Sequence, residues 1–417
     1  MENQKMEPDL HHEFVYDWNL EDSRFAFVRP KVELLDETLR DGLQSAYVVH
    51  PSVEEKAELL RLMDALGIEA ADIGLPGASE QAKAECIYLA KVIVNERLRI
   101  KPAVAVRTLE DDVQRAIEVS HAAGIPVEVM AFIGSSPIRM IAEEWDLPFM
   151  LGRARAAVQM ARRENLPVTF VTEDSTRSRP DILYRLFENA LDAGAQRICI
   201  TDTVGHATPD GIRSLLRYVW SLLKGMGVNV GVDWHGHNDR GIALSNSLWA
   251  IQWGADRIHG CALGVGERCG NCSMDRLIMN LRLMGLTDRD LSRLLDYCNC
   301  ASRILKYPIP PNYPLAGSDA FRTQTGVHAA AILKAREKGD AYMADRIYSG
   351  VPAGMFGRQQ EVCIGPMSGA SNVVYYLAER GISPTKEQIA RILRVAKAAN
   401  HILSEQEVME ALAGEAT

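Results

Sequence analysis

The chain has no hydrophobic run long enough to cross a membrane, and its polar, acidic first 22 residues contain no apolar segment of the signal-peptide kind. Positive charge is also scarce: 46 lysines and arginines face 55 aspartates and glutamates, a formal net charge of -9. Without a basic stripe, nucleic acid is not an expected partner. These absences predict a cytoplasmic protein whose partners are small molecules, not membranes or nucleic acids.

Cysteine is sparse, with eight scattered residues in a chain of 417. Because no export signal is present, we expect these cysteines to be mostly reduced thiols. Cys269 and Cys272 have the spacing of a zinc-binding pair, but Cys298 and Cys300 do not complete a common zinc framework. The sequence therefore does not favour a structural zinc site.

The hydrophobic residues that are present, 47% of the chain, form a regular pattern. Short apolar runs, each followed by a helical pattern, recur at intervals of roughly 30 residues, the length of a strand with its crossover helix. The candidate strands are 32–36, 70–74, 103–106, 127–132, 168–172, 197–201, 228–234 and 257–262. Eight such units predict an α/β protein with a (β/α)8 TIM barrel, whose active site lies at the carboxyl ends of the strands.

The pattern changes after about residue 290. A proline-rich segment at 307–314 predicts a rigid extended linker, and helices are expected at 327–336, 372–380 and 384–400. Ser383 is the expected N-cap of the last helix, with Pro384 in its first turn. The predicted organisation is an N-terminal extension at 1–30, a catalytic barrel at 31–290 and helical C-terminal subdomains at 291–417, without a large regulatory domain.

The most informative stretch is 234–239, which carries His235 and His237 at the end of a mostly apolar run. Residues i and i+2 of a strand point to the same side, so both imidazoles can face one metal ion. The segment 35–42, which carries Asp41, is interpreted as the end of a short apolar strand, and adding this carboxylate gives the mixed N/O site with open positions that a catalytic metal needs. Arg40 could then stabilise an oxyanion on a metal-bound carbonyl. The alternative is that these are ordinary polar residues at strand ends.

Three further segments supply polar groups. The glycines of 264–271 allow close backbone approach to a ligand, and Asn271 offers an amide oxygen to a metal. The spacing is not that of a dinucleotide fingerprint, and a plain barrel-closing turn is the alternative. Glu173 is the acid–base candidate, and Thr203 the candidate donor to a substrate carboxylate. Asp174 and Asp202, beside them, are equally suited to helix capping.

Together these motifs resemble the Claisen-condensing branch of the aldolase-type metal-dependent superfamily, which contains 2-isopropylmalate synthase, homocitrate synthase and citramalate synthase. The resemblance runs from about residue 31 to 345. Its pieces are Leu39-Arg40-Asp41-Gly42 with Gln44, Thr201-Asp202-Thr203-Val204-Gly205, His235-Gly236-His237-Asn238-Asp239, Gly264-Val265-Gly266-Glu267-Arg268 with Gly270-Asn271, and Thr325-Gly326-Val327-His328 with the alanine-rich segment after it.

The resemblance implies one divalent metal ion (Mg, Mn or Zn) bound by Asp41, His235 and His237, with Asn271 close by. The metal would hold the keto and carboxylate oxygens of a 2-oxo acid. Acetyl-CoA, the co-substrate, would lose a methyl proton, attack the ketone and be hydrolysed to CoA. The product would be a 2-hydroxy dicarboxylic or tricarboxylic acid, as in amino-acid biosynthesis, and the enzyme would be a homodimer.

The resemblance also assigns roles to single residues. The substrate-binding candidates are Arg40, Gln44, Arg107, Arg139 and Thr203, and the catalytic candidates are Arg40, Glu173, His328 and Tyr342. Without the resemblance, His328 on its apolar helix would be interpreted as a core histidine.

Some features depart from the synthase pattern. Leu43 stands where synthases usually carry Glu or a comparable polar residue, and the run from Arg40 to Gln44 is closer to that of hydroxymethylglutaryl-CoA lyase, which makes a carbon–carbon lyase the alternative function. Those lyases, however, lack the Gly-Glu-Arg run that starts at Gly266. Arg107-Thr108 departs from the homocitrate synthase pattern and argues against 2-oxoglutarate as the acceptor. A non-catalytic scaffold is disfavoured because the candidate metal and acid–base residues are all present.

Overall fold

The structure, a computed structural model, describes residue 16, residues 18–20 and residues 32–414. Nearly all of the predicted N-terminal extension, 1–30, lies outside the described residues. The chain separates into two compact units, one ending at Asp288 and the other beginning at Arg289. Among the residues described, no helix is both long and apolar enough to span a bilayer.

In the first unit, eight parallel strands close into a barrel. The strands are β1 (Glu33–Asp36), β2 (Ala70–Asp72), β3 (Lys101–Arg107), β4 (Glu128–Gly134), β5 (Val168–Glu173), β6 (Arg197–Asp202), β7 (Gly231–Gly236) and β8 (Arg257–Gly260). Each strand pairs with the next, and β8 closes the ring by pairing with β1 in the register Glu33 to Arg257. The predicted TIM barrel is thereby confirmed.

Helices alternate with the strands. They are α1 (Val53–Ala65), α2 (Glu80–Glu96), α3 (Glu110–Ala123), α4 (Pro137–Ala142), α5 (Leu147–Arg163), α6 (Pro180–Asp192), α7 (Pro209–Met226), α8 (Ala243–Gln252) and α9 (Met274–Leu283). α1 starts where Ser52 and Glu55 form a reciprocal capping box, and it buries Leu59, Leu62 and Met63 on one face. Four glycines that lie between a helix and the next strand have positive φ, as helix-terminating glycines commonly do; they are Gly67, Gly124, Gly194 and Gly254.

Two local predictions need correction. β7 begins at Gly231 rather than at residue 228, because the preceding helix ends at Gly227 in the left-handed conformation and the next three residues only connect the two. Asp41 does not end a strand: β1 stops at Asp36, and Asp41 lies in the turn that leads into a short 3-10 helix, Gly42–Gln44. The carboxylate is therefore placed by a turn and not by strand alternation.

The second unit is mainly helical. Its elements are α10 (Leu294–Leu305), β9 (Arg322–Thr323), α11 (Gly326–Glu337), α12 (Ala341–Arg346), β10 (Glu361–Val362), α13 (Ala370–Ala378), α14 (Lys386–Ala398) and α15 (Glu405–Ala413). One core cluster joins α13, α14 and α15 through Val373, Ile392 and Val408. The predicted N-cap of α14, Ser383, is wrong: Thr385 caps the helix and forms a capping box with Gln388.

Candidate functional site

Three buried side chains converge at the carboxyl end of β7. His235 lies on that strand, and His237 follows it directly, with their Nε2 atoms 3.1 Å apart. The Asp41 Oδ2 atom lies 3.6 Å from His235 Nε2 and 3.7 Å from His237 Nε2. The structure thus brings together the three residues that the sequence singled out as a metal set, although they are up to 196 positions apart.

The spacing of these atoms suits a shared cation. Ligands bound about 2.0–2.2 Å from one ion in tetrahedral or octahedral geometry lie roughly 3.0–3.6 Å from one another. Burial lowers the pKa values of His235 and His237 to about 4, so both rings are neutral and have a nitrogen lone pair to offer. Burial alone would raise the pKa of Asp41, but Arg40 and the two imidazoles hold it well below the usual range. An ionised carboxylate and two neutral imidazoles form a donor set for a divalent metal.

Asn271 lies next to Asp41 in this cluster. Its Nδ2 donates to Asp41 Oδ1 at 3.0 Å, while its buried Oδ1 has no hydrogen-bond partner among the described residues. A half-turn of the amide would exchange these atoms and place an oxygen beside the carboxylate, an arrangement that only a cation between them would stabilise. The unpaired amide oxygen of Asn271 is therefore suited to be a further ligand of the divalent metal predicted from Asp41, His235 and His237.

Arg40 is surrounded by carboxylates. Its Nη1 lies 3.0 Å from Asp41 Oδ2, its Nε donates to Asp72 Oδ2 at 2.8 Å, and its Nη2 contacts Glu37. Burial opposes its positive charge, but Asp41 and Asp72 outweigh this effect and raise its pKa above the usual value. The guanidinium is thus permanently charged and held on three sides next to the candidate metal ligands.

A second group of polar side chains, which the sequence pattern does not reveal, contacts His235 from its Nδ1 side. Glu37 Oε1 lies 3.1 Å from His235 Nδ1 and 2.6 Å from His259 Nδ1. His259 Nε2 lies 3.2 Å from Asp233 Oδ2, which also accepts from Arg257 Nε at 2.8 Å. The only sequence signal was that polar residues alternate with apolar ones on β7 and β8, and strand pairing was needed to reveal what they contact.

The glycine loop positions Asn271 through close backbone packing. A Cβ at Gly266, where φ is +155°, would come 2.1 Å from Asn271 Nδ2, and a Cβ at Gly270 would come 1.9 Å from the Gly264 carbonyl oxygen. Ser45 also holds the loop, donating to the Gly266 carbonyl at 2.7 Å and accepting from its N–H at 2.9 Å. These positions need glycine because a side chain at 266 would displace the Asn271 amide and one at 270 would overlap the Gly264 carbonyl.

Thr203 lies after β6. Its Oγ1 accepts from the Asp174 N–H at 2.8 Å and lies 3.0 Å from Thr201 Oγ1, and the Arg268 guanidinium holds its carbonyl. Because Thr201 donates its own proton to the Thr172 carbonyl at 2.7 Å, the Thr203 hydroxyl donates to Thr201 and must turn away from it to donate to a substrate oxygen. Asp174 itself pairs with Arg177 at 2.7 Å, which favours the structural interpretation of that carboxylate.

Glu173, at the end of β5, faces Arg139. The distance from Arg139 Nε to Glu173 Oε1 is 3.0 Å, and Arg139 Nη1 also pairs with Glu143 at 2.7 Å. Burial raises the pKa of Glu173 above its usual value, and Arg139 opposes the shift. The two predicted residues therefore meet as an ion pair, which limits what Arg139 alone can offer a substrate carboxylate.

Two other predicted substrate-binding residues have different surroundings. Arg107 makes a bidentate pair with Asp112, at 2.8 Å for each nitrogen, and its side chain is half exposed. Gln44 ends the 3-10 helix after Asp41 and is exposed.

Two of the predicted catalytic residues lie in the second unit. His328 on α11 is half-buried and stacks on Tyr348, with ring centroids 3.8 Å apart. The guanidinium carbon of Arg346 lies 3.3 Å from the ring centroid of Tyr342 on α12.

Comparison with known proteins identifies the group to which these residues belong. A family model described as HMGL-like matches residues 31–300. A 2-isopropylmalate synthase of Nitratidesulfovibrio vulgaris is 31% identical over 379 residues, 88% of this chain and 70% of the relative. The homocitrate synthase AksA of Methanothermobacter thermautotrophicus is 30% identical over 88% of both chains. An (R)-citramalate synthase of Methanocaldococcus jannaschii is 30% identical over 87% of this chain and 69% of the relative.

Solved structures share the fold. An HMG-CoA lyase from Bacillus subtilis superposes with a TM-score of 0.57 at 21% identity, covering 68% of this chain and 96% of the lyase. An HMG-CoA lyase from Acinetobacter baumannii gives a TM-score of 0.57 at 19% identity, covering 67% of this chain and 93% of that one. The solved structures show the same barrel fold, and the family is shown by the sequence matches. The chain belongs to the HMGL-like family, with homologues named 2-isopropylmalate, citramalate and homocitrate synthases.

Proposed function

We propose that the protein is a metal-dependent acyltransferase that condenses acetyl-CoA with a 2-oxo acid and then hydrolyses the thioester. The products are CoA and a 2-hydroxy dicarboxylic or tricarboxylic acid. The convergence of Asp41, His235 and His237 beside Arg40 is the observation that carries this proposal. The similarity to three synthases of this kind over 87–88% of the chain supports it.

A divalent ion (Mg, Mn or Zn) held by Asp41, His235 and His237, with Asn271 adjacent, would supply Lewis acidity toward the acceptor's carbonyl and carboxylate oxygens. Arg40 places a fixed positive charge where negative charge develops on the keto oxygen, and its carboxylate partners keep it from turning away. Thr203 donates its hydroxyl proton to the acceptor's carboxylate. Gln44, Arg107 and Arg139 remain proposed substrate contacts.

The new carbon–carbon bond requires a base. That base takes a proton from the methyl group of acetyl-CoA, the resulting carbon bonds to the keto carbon, and the keto oxygen gains a proton to become a hydroxyl. Water then cleaves the thioester and releases the CoA thiol. We assign the proton transfer to His328 with Glu173 and Tyr342, because imidazole, carboxylate and phenol groups all serve as general acids and bases in enzymes. We also propose a cytoplasmic homodimer acting in amino-acid biosynthesis.

An acceptor panel tests the proposal. The purified protein is incubated with acetyl-CoA, one of a series of 2-oxo acids and Mg, Mn or Zn, and released CoA is measured with a thiol reagent. We expect release only when acceptor, acetyl-CoA and metal are all present, and a new hydroxy acid in the mass spectrum. If no acceptor releases CoA with any metal, the synthase assignment fails.

A carbon–carbon lyase is the second candidate, and Leu43 favours it. This residue is buried in the short 3-10 helix directly after Asp41, where synthases usually carry Glu or a comparable polar residue. The test is to supply 3-hydroxy-3-methylglutaryl-CoA with metal and without a 2-oxo acid. Formation of acetyl-CoA and acetoacetate would support the lyase, and an intact substrate would exclude this activity.

A further inference from the structure

Glu37 is a buried carboxylate that contacts one of the candidate metal ligands without belonging to the ligand set. It follows β1 directly and is 1% exposed. Its Oε1 lies between two imidazoles, 3.1 Å from Nδ1 of His235 and 2.6 Å from Nδ1 of His259. One oxygen of Glu37 thus connects a ligand on β7 with a histidine on β8.

His259 is itself fixed by the barrel. It is 1% exposed on β8, and its Nε2 lies 3.2 Å from Asp233 Oδ2 on the neighbouring strand. Asp233 is held by two guanidiniums, with Arg257 Nε at 2.8 Å and Arg197 Nε at 2.8 Å. Glu37 is therefore held by His259 on β8, which is held in turn by Asp233 on the paired strand β7.

These contacts decide which nitrogen of His235 carries the proton. The Arg40 guanidinium contacts the other oxygen of Glu37 and favours the ionised carboxylate, which can only accept, so the Nδ1 of His235 that faces Glu37 must be an N–H. A neutral imidazole has one N–H, and the lone pair is therefore at Nε2, the atom 3.6 Å from Asp41 Oδ2. The hydrogen bond also restrains rotation of the ring about its Cβ–Cγ bond.

We propose that Glu37 and His259 are positioning residues for the metal centre: Glu37 fixes the tautomer and the orientation of His235, and His259 fixes Glu37. This inference rests on the metal site of the proposed function. Partners of this kind commonly change metal affinity by about 10–100-fold, because a ligand that must reorient or change tautomer binds less well.

The same atoms do not suit a second metal ion. Glu37, His235 and His259 do place potential ligand atoms within 4.8 Å of one another. However, the 2.6 Å between Glu37 Oε1 and His259 Nδ1 is a hydrogen-bond distance, whereas two ligands of one ion are about 3 Å or more apart. The geometry therefore favours hydrogen bonding over shared coordination.

Matched variants test the proposal. The full-length wild type, Glu37→Gln, His259→Ala and His259→Asn are stripped of metal, and Zn and Mn affinities are measured by chelator competition, with metal content counted by mass spectrometry. Gln at 37 has one oxygen where Glu has two, so it must turn an amide N–H either toward the imidazoles or toward the Arg40 guanidinium, whereas Asn at 259 keeps a donor near Nδ1. Glu69→Gln is the control, because Glu69 accepts from the Leu34 N–H on β1.

We expect a single metal per chain in every protein. Dissociation constants should rise about 10–100-fold in Glu37→Gln and His259→Ala, recover in part in His259→Asn and remain unchanged in Glu69→Gln. Unchanged affinity in folded Glu37→Gln and His259→Ala would overturn the proposal. So would two metals in the wild type with one in either variant, because the residues would then be ligands.

A second measurement uses the wild type alone and does not depend on whether the variants fold. Nitrogen-15 spectra of the histidines in the zinc-bound protein should show His235 protonated at Nδ1, and protonation at Nε2 would contradict the proposal. A wild type that binds no metal overturns both this inference and the proposed function. Metal binding without CoA release leaves the inference standing and removes only the synthase assignment.

Discussion

The chemistry of this protein depends on a few side chains whose charge states are set by their surroundings. Burial keeps His235 and His237 neutral, with pKa values of about 4, while Arg40 keeps Asp41 ionised. In water an exposed histidine near pH 6 would be partly charged and would compete poorly for a metal. Burial in the barrel thus gives these side chains the charge states that metal binding requires.

The first prediction concerns His237. Replacing His237 with Ala should lower metal affinity by at least about 100-fold and abolish CoA release, because one of three ligands is lost from a buried site. Metal content and thiol release measure the two effects. His206→Ala is the control, since this exposed histidine of the first unit makes hydrogen bonds through its backbone alone within the part of the chain that the structure describes. An active, metal-loaded His237→Ala protein would contradict the proposed site.

The second prediction separates binding from turnover at His328. We expect His328→Ala to keep the acceptor's KM within about twofold and to lower kcat by about 10²–10⁴, the range typical of a lost general acid or base. Steady-state kinetics with the best acceptor of the panel measure both constants. His401→Ala, whose imidazole pairs with Glu407 in the same unit, is the control. A comparable loss of acceptor affinity would show that His328 binds substrate instead.

At the scale of elements, the site is assembled from the carboxyl end of one strand and from the loops that follow two others. β7 presents His235, the turn after β1 presents Asp41, and the glycine loop after β8 presents Asn271. An isolated bridge between His237 and Asn271 ties two of these segments together. Because the strand ends are fixed by the closed barrel, small changes in these loops translate directly into ligand spacing.

The third prediction tests the glycine loop. Gly266→Ala should unfold more readily, by about 1–3 kcal/mol, and should weaken metal binding, because φ is +155° and the new Cβ would lie 2.1 Å from Asn271 Nδ2. Thermal unfolding and chelator competition measure the two effects. Gly285→Ala is the matched control: φ is +69° but nothing lies within 4 Å, so only the backbone cost should appear. Equal metal affinity in both variants would contradict the packing argument.

At the scale of the whole molecule, a buried ionic network spans the barrel. Arg257 on β8 pairs with Asp233 on β7 and with Glu128 on β4, and Glu128 also accepts from Thr169 on β5 at 2.6 Å. Removing one partner from such a network leaves a buried charge without compensation, which typically costs about 3–5 kcal/mol. The network therefore couples distant strands, and its integrity matters to the stability of the entire barrel.

The fourth prediction follows from Glu128. Burial alone would raise its pKa, but Arg257 keeps it below the usual value of 4.5. The unfolded chain therefore binds the proton more tightly, so this contribution to stability is present above pH 4.5 and is lost as pH falls through the lower folded-state pKa. Urea unfolding should show Glu128→Gln less stable than the wild type at pH 7, with a smaller further loss on acidification.

Glu96→Gln provides the control for this experiment, since Glu96 forms a well-exposed pair with Arg61. That variant should change the free energy of unfolding by no more than about 1 kcal/mol. If Glu128→Gln and Glu96→Gln behave alike at pH 7, the buried network does not stabilise the barrel in the way described.

The sequence by itself determined the barrel and the family. The eight apolar runs at intervals of about 30 residues required parallel strands with crossover helices, and the i and i+2 spacing of His235 and His237 placed both rings on one side. Those features are local, because alternation and helical periodicity are properties of neighbouring residues. Asp41 could be included only by assuming that the first and seventh strands end at the same face of a barrel.

The tertiary structure alone decided what lies around the site. Glu37 reaches His235 and His259 across some 200 positions, and Arg139 is occupied by Glu173, although no pattern in the chain linked either set. Such contacts depend on which strand neighbours which, on their register and on side-chain direction. These quantities are fixed only when the barrel closes, which is why a one-dimensional pattern predicted the ligands and not the groups that hold them.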